Sequence, residues 1–106
     1  MSQQVNLNKV AFNITLHGGN AKDLAHDALK AAKEGNNERA ENLLEEAREE
    51  FNKGHEVQSQ AMKQDDKEDK VYTNMLLAHA MDHLMAAKSE MVLIEELIEL
   101  HQKVEG

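Results

Sequence analysis

The sequence predicts an all-α fold, a three-helix antiparallel bundle that associates with copies of itself. Three observations predict it. The chain of 106 residues has no proline, only five glycines, and a composition rich in Ala, Leu, Glu, Lys and Asn, which favours helix throughout. Apolar residues recur at spacings of three and four in three segments separated by polar breaks. The last segment carries two such stripes, one more than a bundle of three helices can cover from within.

The first helix is expected from about Asn6 to Glu34, with Val10, Ile14, Ala21, Leu24, Ala25, Ala28 and Ala32 along one face. Gly18-Gly19 interrupts this run and predicts a kink or a break. Gly35 suits the residue just past the helix end, because it takes positive φ without steric cost, and Asn36 is a candidate N-cap for the next helix.

The second helix is expected from about Asn37 to Lys63. Ala40, Leu43, Leu44, Ala47, Phe51, Gly54, Gln58 and Ala61 form its inner side, and Glu41, Glu45, Glu46, Arg48, Glu49 and Glu50 crowd the rest. Gln64-Asp65-Asp66-Lys67-Glu68-Asp69-Lys70 holds no apolar residue and reads as a solvated connector.

The third helix is expected from about Val71 to Val104. Leu77, Ala80, Leu84, Ala87, Met91, Ile94, Ile98 and His101 make a coiled-coil-like seam. Met75, His79, Asp82, Ala86, Leu93, Leu97, Leu100 and Val104 make the second stripe. The first two helices can cover one stripe; the other is expected to meet copies of the chain in an oligomer. A lone domain of this length buries only part of its apolar surface, which favours the same outcome.

Composition excludes several functions. Twenty acidic against twelve basic residues give a net charge of −8, and Phe12, Phe51 and Tyr72 are the only aromatics. Such a surface repels phosphate backbones and offers no stacking platform, so nucleic acid is not an expected partner. The absence of cysteine removes thiol catalysis and disulfides. The first residues lack the basic and apolar stretches of a signal peptide. No apolar run approaches the ~20 residues that span a bilayer. A single domain over residues 1–106, without direct membrane insertion, is the expectation.

Chemistry concentrates at Leu76-Leu77-Ala78-His79-Ala80-Met81-Asp82-His83-Leu84-Met85. On a helix His79, Asp82 and His83 share a neighbourhood, being three and four residues apart. The spacing alone leaves three readings open: a metal site, a histidine nucleophile or proton shuttle oriented by its neighbours, or exposed residues without a role. Asp82 has a further consequence. If its stripe lies on an oligomer axis, carboxylates from several chains converge there. Their repulsion is relieved by protonation or by a hard divalent cation such as Mg²⁺; otherwise Asp82 simply faces water.

His79-Ala80-Met81-Asp82-His83-Leu84-Met85 resembles the His-Ala-Gln-Asp-His-Leu-Met signature of the IIA subunits of lactose, cellobiose and chitobiose phosphotransferase systems. Gly19-Asn20-Ala21-Lys22-Asp23-Leu24-Ala25 and Ala28 to Gly35 resemble the family's first helix and its Gly-terminated turn. Gly54-His55-Glu56-Val57-Gln58-Ser59 resembles its Ala-His-x-x-Gln-Thr element, and Glu95 to His101 fits its ending.

The resemblance implies a cytoplasmic homotrimer in which His79 accepts a phosphoryl group at Nε2 from the phosphohistidine of HPr. It passes that group to a cysteine of the IIB subunit, and through it serves the membrane IIC subunit in disaccharide or β-glucoside uptake. Asp82 matches the family's ion-binding aspartate, one per chain around a three-fold axis, with Mg²⁺ as the expected ion. One departure is Met81, where the family carries Gln. It motivates the alternative of a helical adaptor that kept the fold and lost phosphotransfer. A histidine phosphotransfer domain of two-component signalling is disfavoured, because Met81, Asp82 and His83 stand where that class places a Lys and a small residue. A simple metal-binding bundle is a further alternative. His83 and His55 are candidates for lining the site or for structural roles; His17, His26 and His101 read as structural or solvated.

Overall fold

The computed structural model describes residues 7–64 and 75–105, which form three helices: α1 (Leu7–Lys33), α2 (Asn37–Gln64) and α3 (Met75–Glu105). The expected connector after Gln64 and the expected start of the third helix at Val71 lie outside the described residues. Contacts along the bundle fix its topology. Gln102 near the end of α3 donates to the Asn37 side chain at the start of α2 (3.2 Å), and Glu90 of α3 meets Lys22 and His26 of α1. The helices therefore run up, down and up, with α1 packed broadly against both others and α2 touching α3 more lightly.

The turn between α1 and α2 forms as its residues dictate. Gly35 takes φ 85°. Its N–H bonds the Ala32 carbonyl (3.0 Å) and the Asn36 N–H bonds that of Ala31 (2.9 Å), so two orphan carbonyls at the end of α1 are satisfied. Asn36 then caps α2 through its side-chain oxygen, which accepts from the Arg39 N–H at 3.1 Å. Three residues, Glu34, Gly35 and Asn36, separate two long helices, and each is polar or glycine.

The core is thin and rich in alanine. Ala21, Ala25, Ala28 and Ala32 of α1 and Ala40 and Ala47 of α2 are wholly buried, which lets the helices approach closely. Leu84 is one of the large fully buried side chains and packs against α1 and α2 together. A Cβ at Gly18 would lie 3.5 Å from its Cδ1 and 3.6 Å from its Cα. A Cβ at Gly54 would lie 3.1 Å from Cδ1 and 3.2 Å from the His17 Cβ. Glycine within a helix costs about 0.5–1 kcal/mol relative to alanine, whereas burying a leucine side chain returns about 1.5–3 kcal/mol. The close approach is a net gain.

The kink or break expected at Gly18-Gly19 is corrected: α1 continues through both residues. Gly18 is buried against Leu84 within a continuous helix, so the pair is not a helix stop. Gly19 differs, because nothing lies within 4 Å of the place its Cβ would occupy. It carries the helix cost without a packing return.

A polar clamp also holds α1 to α2. Glu50 is largely enclosed, and its Oε1 accepts from His17 Nδ1 (3.0 Å) and from Asn20 Nδ2 (3.1 Å), while Lys53 Nζ reaches Oε2 at 3.1 Å. A carboxylate can only accept, so Nδ1 carries the ring proton. The His17 hydrogen bond, against opposing desolvation and with help from Asn20 and Lys53, lowers the Glu50 pKa from an ordinary 4.5 to about 2.

Two outcomes follow. Gly19→Ala should stabilise the chain by about 0.5–1 kcal/mol, a rise of a few degrees in Tm that calorimetry reads directly; a lower Tm would contradict the open space described. Because the folded Glu50 pKa is depressed, its contribution is present in full above the unfolded value and drains away as pH falls from 4.5 through about 2. Denaturant midpoints measured from pH 6 to pH 2 should fall less steeply for Glu50→Gln than for the wild type.

Candidate functional site

The packing of α3 decides what the candidate site shows to its surroundings. Leu77, Ala80, Leu84, Ala87, Met91, Ile94 and Ile98 are buried, as the expected seam requires. Each helical residue advances about 100° around the axis, so burying this set turns the second stripe outward. Met75, His79, Asp82, Ala86, Leu93, Leu97, Leu100 and Val104 are all exposed, with Leu93 at 64% and Val104 at 77% of full accessibility. His79 and Asp82 thus lie open on a helix face that the described residues leave uncovered.

His83 joins His79 at the rim of that face. Their Nε2 atoms are 3.1 Å apart, and the rings meet edge to face with centroids 4.6 Å apart and planes at 82°. One ring donates its Nε2–H and the other accepts, so the pair shares a single proton along that line. The Nε2 of His79 is therefore addressed by a neighbouring ring one helical turn away. Among the described residues, no hydrogen bond to His79 Nδ1 accompanies the contact at Nε2.

Asp82 has no ion-pair partner among the described residues and presents one carboxylate per chain. No group of three or more His, Cys, Asp or Glu side chains converges on a point among them. A cation held by Asp82 would need ligands from outside a single chain.

Met81 turns the other way. It is half-buried and packs against the hydrophobic core. Two residues along a helix point to nearly opposite sides, so its thioether and the His79 ring do not share a face. His55 is not brought to the site either: it is exposed on α2, where it stacks on Phe51 with ring centroids 6.1 Å apart. His26 approaches Glu90 on the surface at 3.4 Å. His17 is the one histidine whose role sequence reasoning understated, because its partner Glu50 lies 33 residues away. No described helix is long and apolar enough to cross a membrane.

A protein-family model for the "PTS system, Lactose/Cellobiose specific IIA subunit" matches residues 9–102. The chain is 37% identical over 98 residues to the lichenan-specific phosphotransferase enzyme IIA component of Bacillus subtilis, covering 92% of this chain and 89% of that protein. It is 37% identical over 100 residues to the N,N'-diacetylchitobiose-specific EIIA component of Escherichia coli K12, covering 94% and 86%. Its fold superimposes with a TM-score of 0.87 and 35% identity on a chain of the solution structure of the E. coli IIA(Chitobiose)–HPr complex, covering 97% of this chain and 100% of that one.

Proposed function

The chain belongs to the lactose/cellobiose-specific IIA subunit family of the phosphotransferase system, and from that premise we propose that His79 is its phosphoryl acceptor. Disaccharide-specific IIA components carry phosphoryl groups in sugar uptake, and this chain does so with a donor of the HPr type and an acceptor of the IIB type, in the cytoplasm. The observation that carries the assignment is the exposure of His79 on the uncovered face of α3, with Nε2 beside a second imidazole at 3.1 Å.

The chemistry follows from that geometry. A neutral His79 with its proton on Nδ1 keeps the Nε2 lone pair for attack. That lone pair attacks phosphorus on the donor phosphohistidine; a P–N bond forms at His79 as the donor's P–N bond breaks and its imidazole leaves. In the resting tautomer that suits this step, His83 holds its proton on Nε2 and donates it to His79. Once phosphorus takes the lone pair, the same N–H is free to turn to a phosphoryl oxygen, where negative charge accumulates. In the second transfer a cysteine thiolate of the IIB protein attacks phosphorus, a P–S bond forms, and the bond to His79 breaks. No net proton is consumed in either exchange. Both proteins must dock over His79, which an exposed ring permits.

The uncovered stripe supports a homotrimer packed along α3. Leu93, Leu97, Leu100 and Val104 form an apolar band more than half exposed at most of its positions, which a monomer would leave in water. Copies meeting along this band bring their Asp82 carboxylates together, and an oxygen-only donor set of that kind fits Mg²⁺. When bound, Mg²⁺ would neutralise charge that otherwise repels an incoming phosphoryl group. The adaptor alternative loses its one motive, because Met81 packs into the core's edge on the side away from His79.

Incubation with phosphoenolpyruvate, its kinase and HPr should place one acid-labile phosphoryl group on each wild-type chain. His79→Ala should take up none by mass spectrometry; labelling that persists would reject the assignment. His83→Gln should transfer at least tenfold more slowly, as loss of an oriented donor implies. Light scattering should report a trimer for the wild type that weakens in chelator, and an Asp82→Leu variant whose mass ignores chelator. A monomer under all conditions would refute both the assembly and the shared ion.

A further inference from the structure

We propose that His79 and His83 together form a chelating site for a borderline transition-metal dication, Zn²⁺ foremost, and that metal at this site and phosphate on His79 exclude each other. The site itself needs only the two rings; the exclusion rests on His79 being the phosphoryl acceptor.

Distance is the first support. Zn–N bonds are about 2.0–2.1 Å, so two nitrogens on one ion stand about 2.9 Å apart at a right angle and about 3.3 Å apart at a tetrahedral angle. The two Nε2 atoms stand at 3.1 Å, between those limits. Modest rotation of the rings about their side-chain torsions then aims both lone pairs at one ion, with no change in the backbone. Four-residue spacing inside a helix of 31 residues holds the pair in register, so little ordering remains to be done on binding. Both rings are exposed, which gives the ion a route in and leaves its other positions to water.

Donor chemistry is the second support. Two imidazole nitrogens suit Zn²⁺, Cu²⁺ and Ni²⁺, whereas Mg²⁺ takes oxygen. The pair is thus chemically separate from the Asp82 carboxylate one turn away. Elsewhere the close histidine contacts are to carboxylates, His17 with Glu50 at 3.0 Å and His26 with Glu90 at 3.4 Å, and each offers one nitrogen only. Proton balance is simple. In the resting pair one Nε2 holds a proton; for both Nε2 atoms to ligate, that ring carries its proton on Nδ1 instead. The exchange runs through water and releases no net proton. A phosphoryl group bonded to His79 Nε2 consumes one of the two lone pairs, and with it the chelate.

Calorimetric titration of the full chain with Zn²⁺ decides the matter, with His26→Gln and His83→Gln compared against the wild type and Mg²⁺ as the contrasting ion. One Zn²⁺ per chain is expected for the wild type and for His26→Gln, and at least tenfold weaker binding for His83→Gln, whose helicity is verified by circular dichroism. Mg²⁺ binding should not respond to His83→Gln. Enzymatically phosphorylated wild type should bind Zn²⁺ as weakly as His83→Gln, and Zn²⁺ should slow phosphoryl uptake by the wild type. Wild-type Zn²⁺ affinity in His83→Gln would overturn the site, and unchanged affinity in the phosphorylated protein would overturn the exclusion. If no phosphoryl group can be loaded, the reading of His79 as acceptor fails, while the titration of the unmodified chain still judges the metal site.

Discussion

The rotation of α3 about its own axis is the constraint on which the remaining structure depends, and Leu84 sets it. That side chain is completely enclosed between α1 and α2, against Gly18 and Gly54. Helical geometry leaves no freedom once it is seated. Ala80 and Ala87 follow it inward, and His79, Asp82 and His83 are carried to the outside. The site is a by-product of core packing, in that the residue next to His83 in sequence is fully buried in the bundle. Two glycines, each unfavourable in a helix, make the seat.

Most of the architecture was legible because it is local. The periodicity placed α1 within a residue at each end and α2 within a residue at its C-terminus. Gly35 and Asn36 announced a turn whose hydrogen bonds formed as their chemistry requires. The division of α3 into a buried and an exposed stripe was readable residue by residue, as was the proximity of His79 to His83, since both follow from 3.6 residues per turn. Gly18-Gly19 was misleading for a tertiary reason: two glycines weaken a helix only locally, and the packing of α1 along both other helices carries it through them. The His17–Glu50 clamp spans 33 residues and depends on the register of two helices, which periodicity does not supply.

The family relationship and the physical reading meet at one segment. Similarity runs over residues 9–102, so fold and general role do not rest on a short motif. What the coordinates add is orientation. Met81 departs from the family pattern, yet it spends its side chain on the core, while His79 and Asp82 keep the outer face. A substitution inside a signature is thereby compatible with unchanged chemistry beside it, because adjacent letters in a helical motif look in different directions.

The outer face of α3 is uneven along its length. Its polar members, His79 and Asp82, belong to the N-terminal half, and apart from Met75 at the helix start the bulky apolar ones run from Leu93 to Val104, so that His79 and Leu93 are separated by about 21 Å of helix. The broadest apolar surface and the open imidazoles thus lie on different stretches of one helix. In the trimer proposed above, the C-terminal half of the helix would supply most of the grip, and the Asp82 carboxylates would be brought together by contacts made well beyond them. A protein visiting His79 would then meet a stretch of the face about 21 Å from Leu93, where the main apolar band begins.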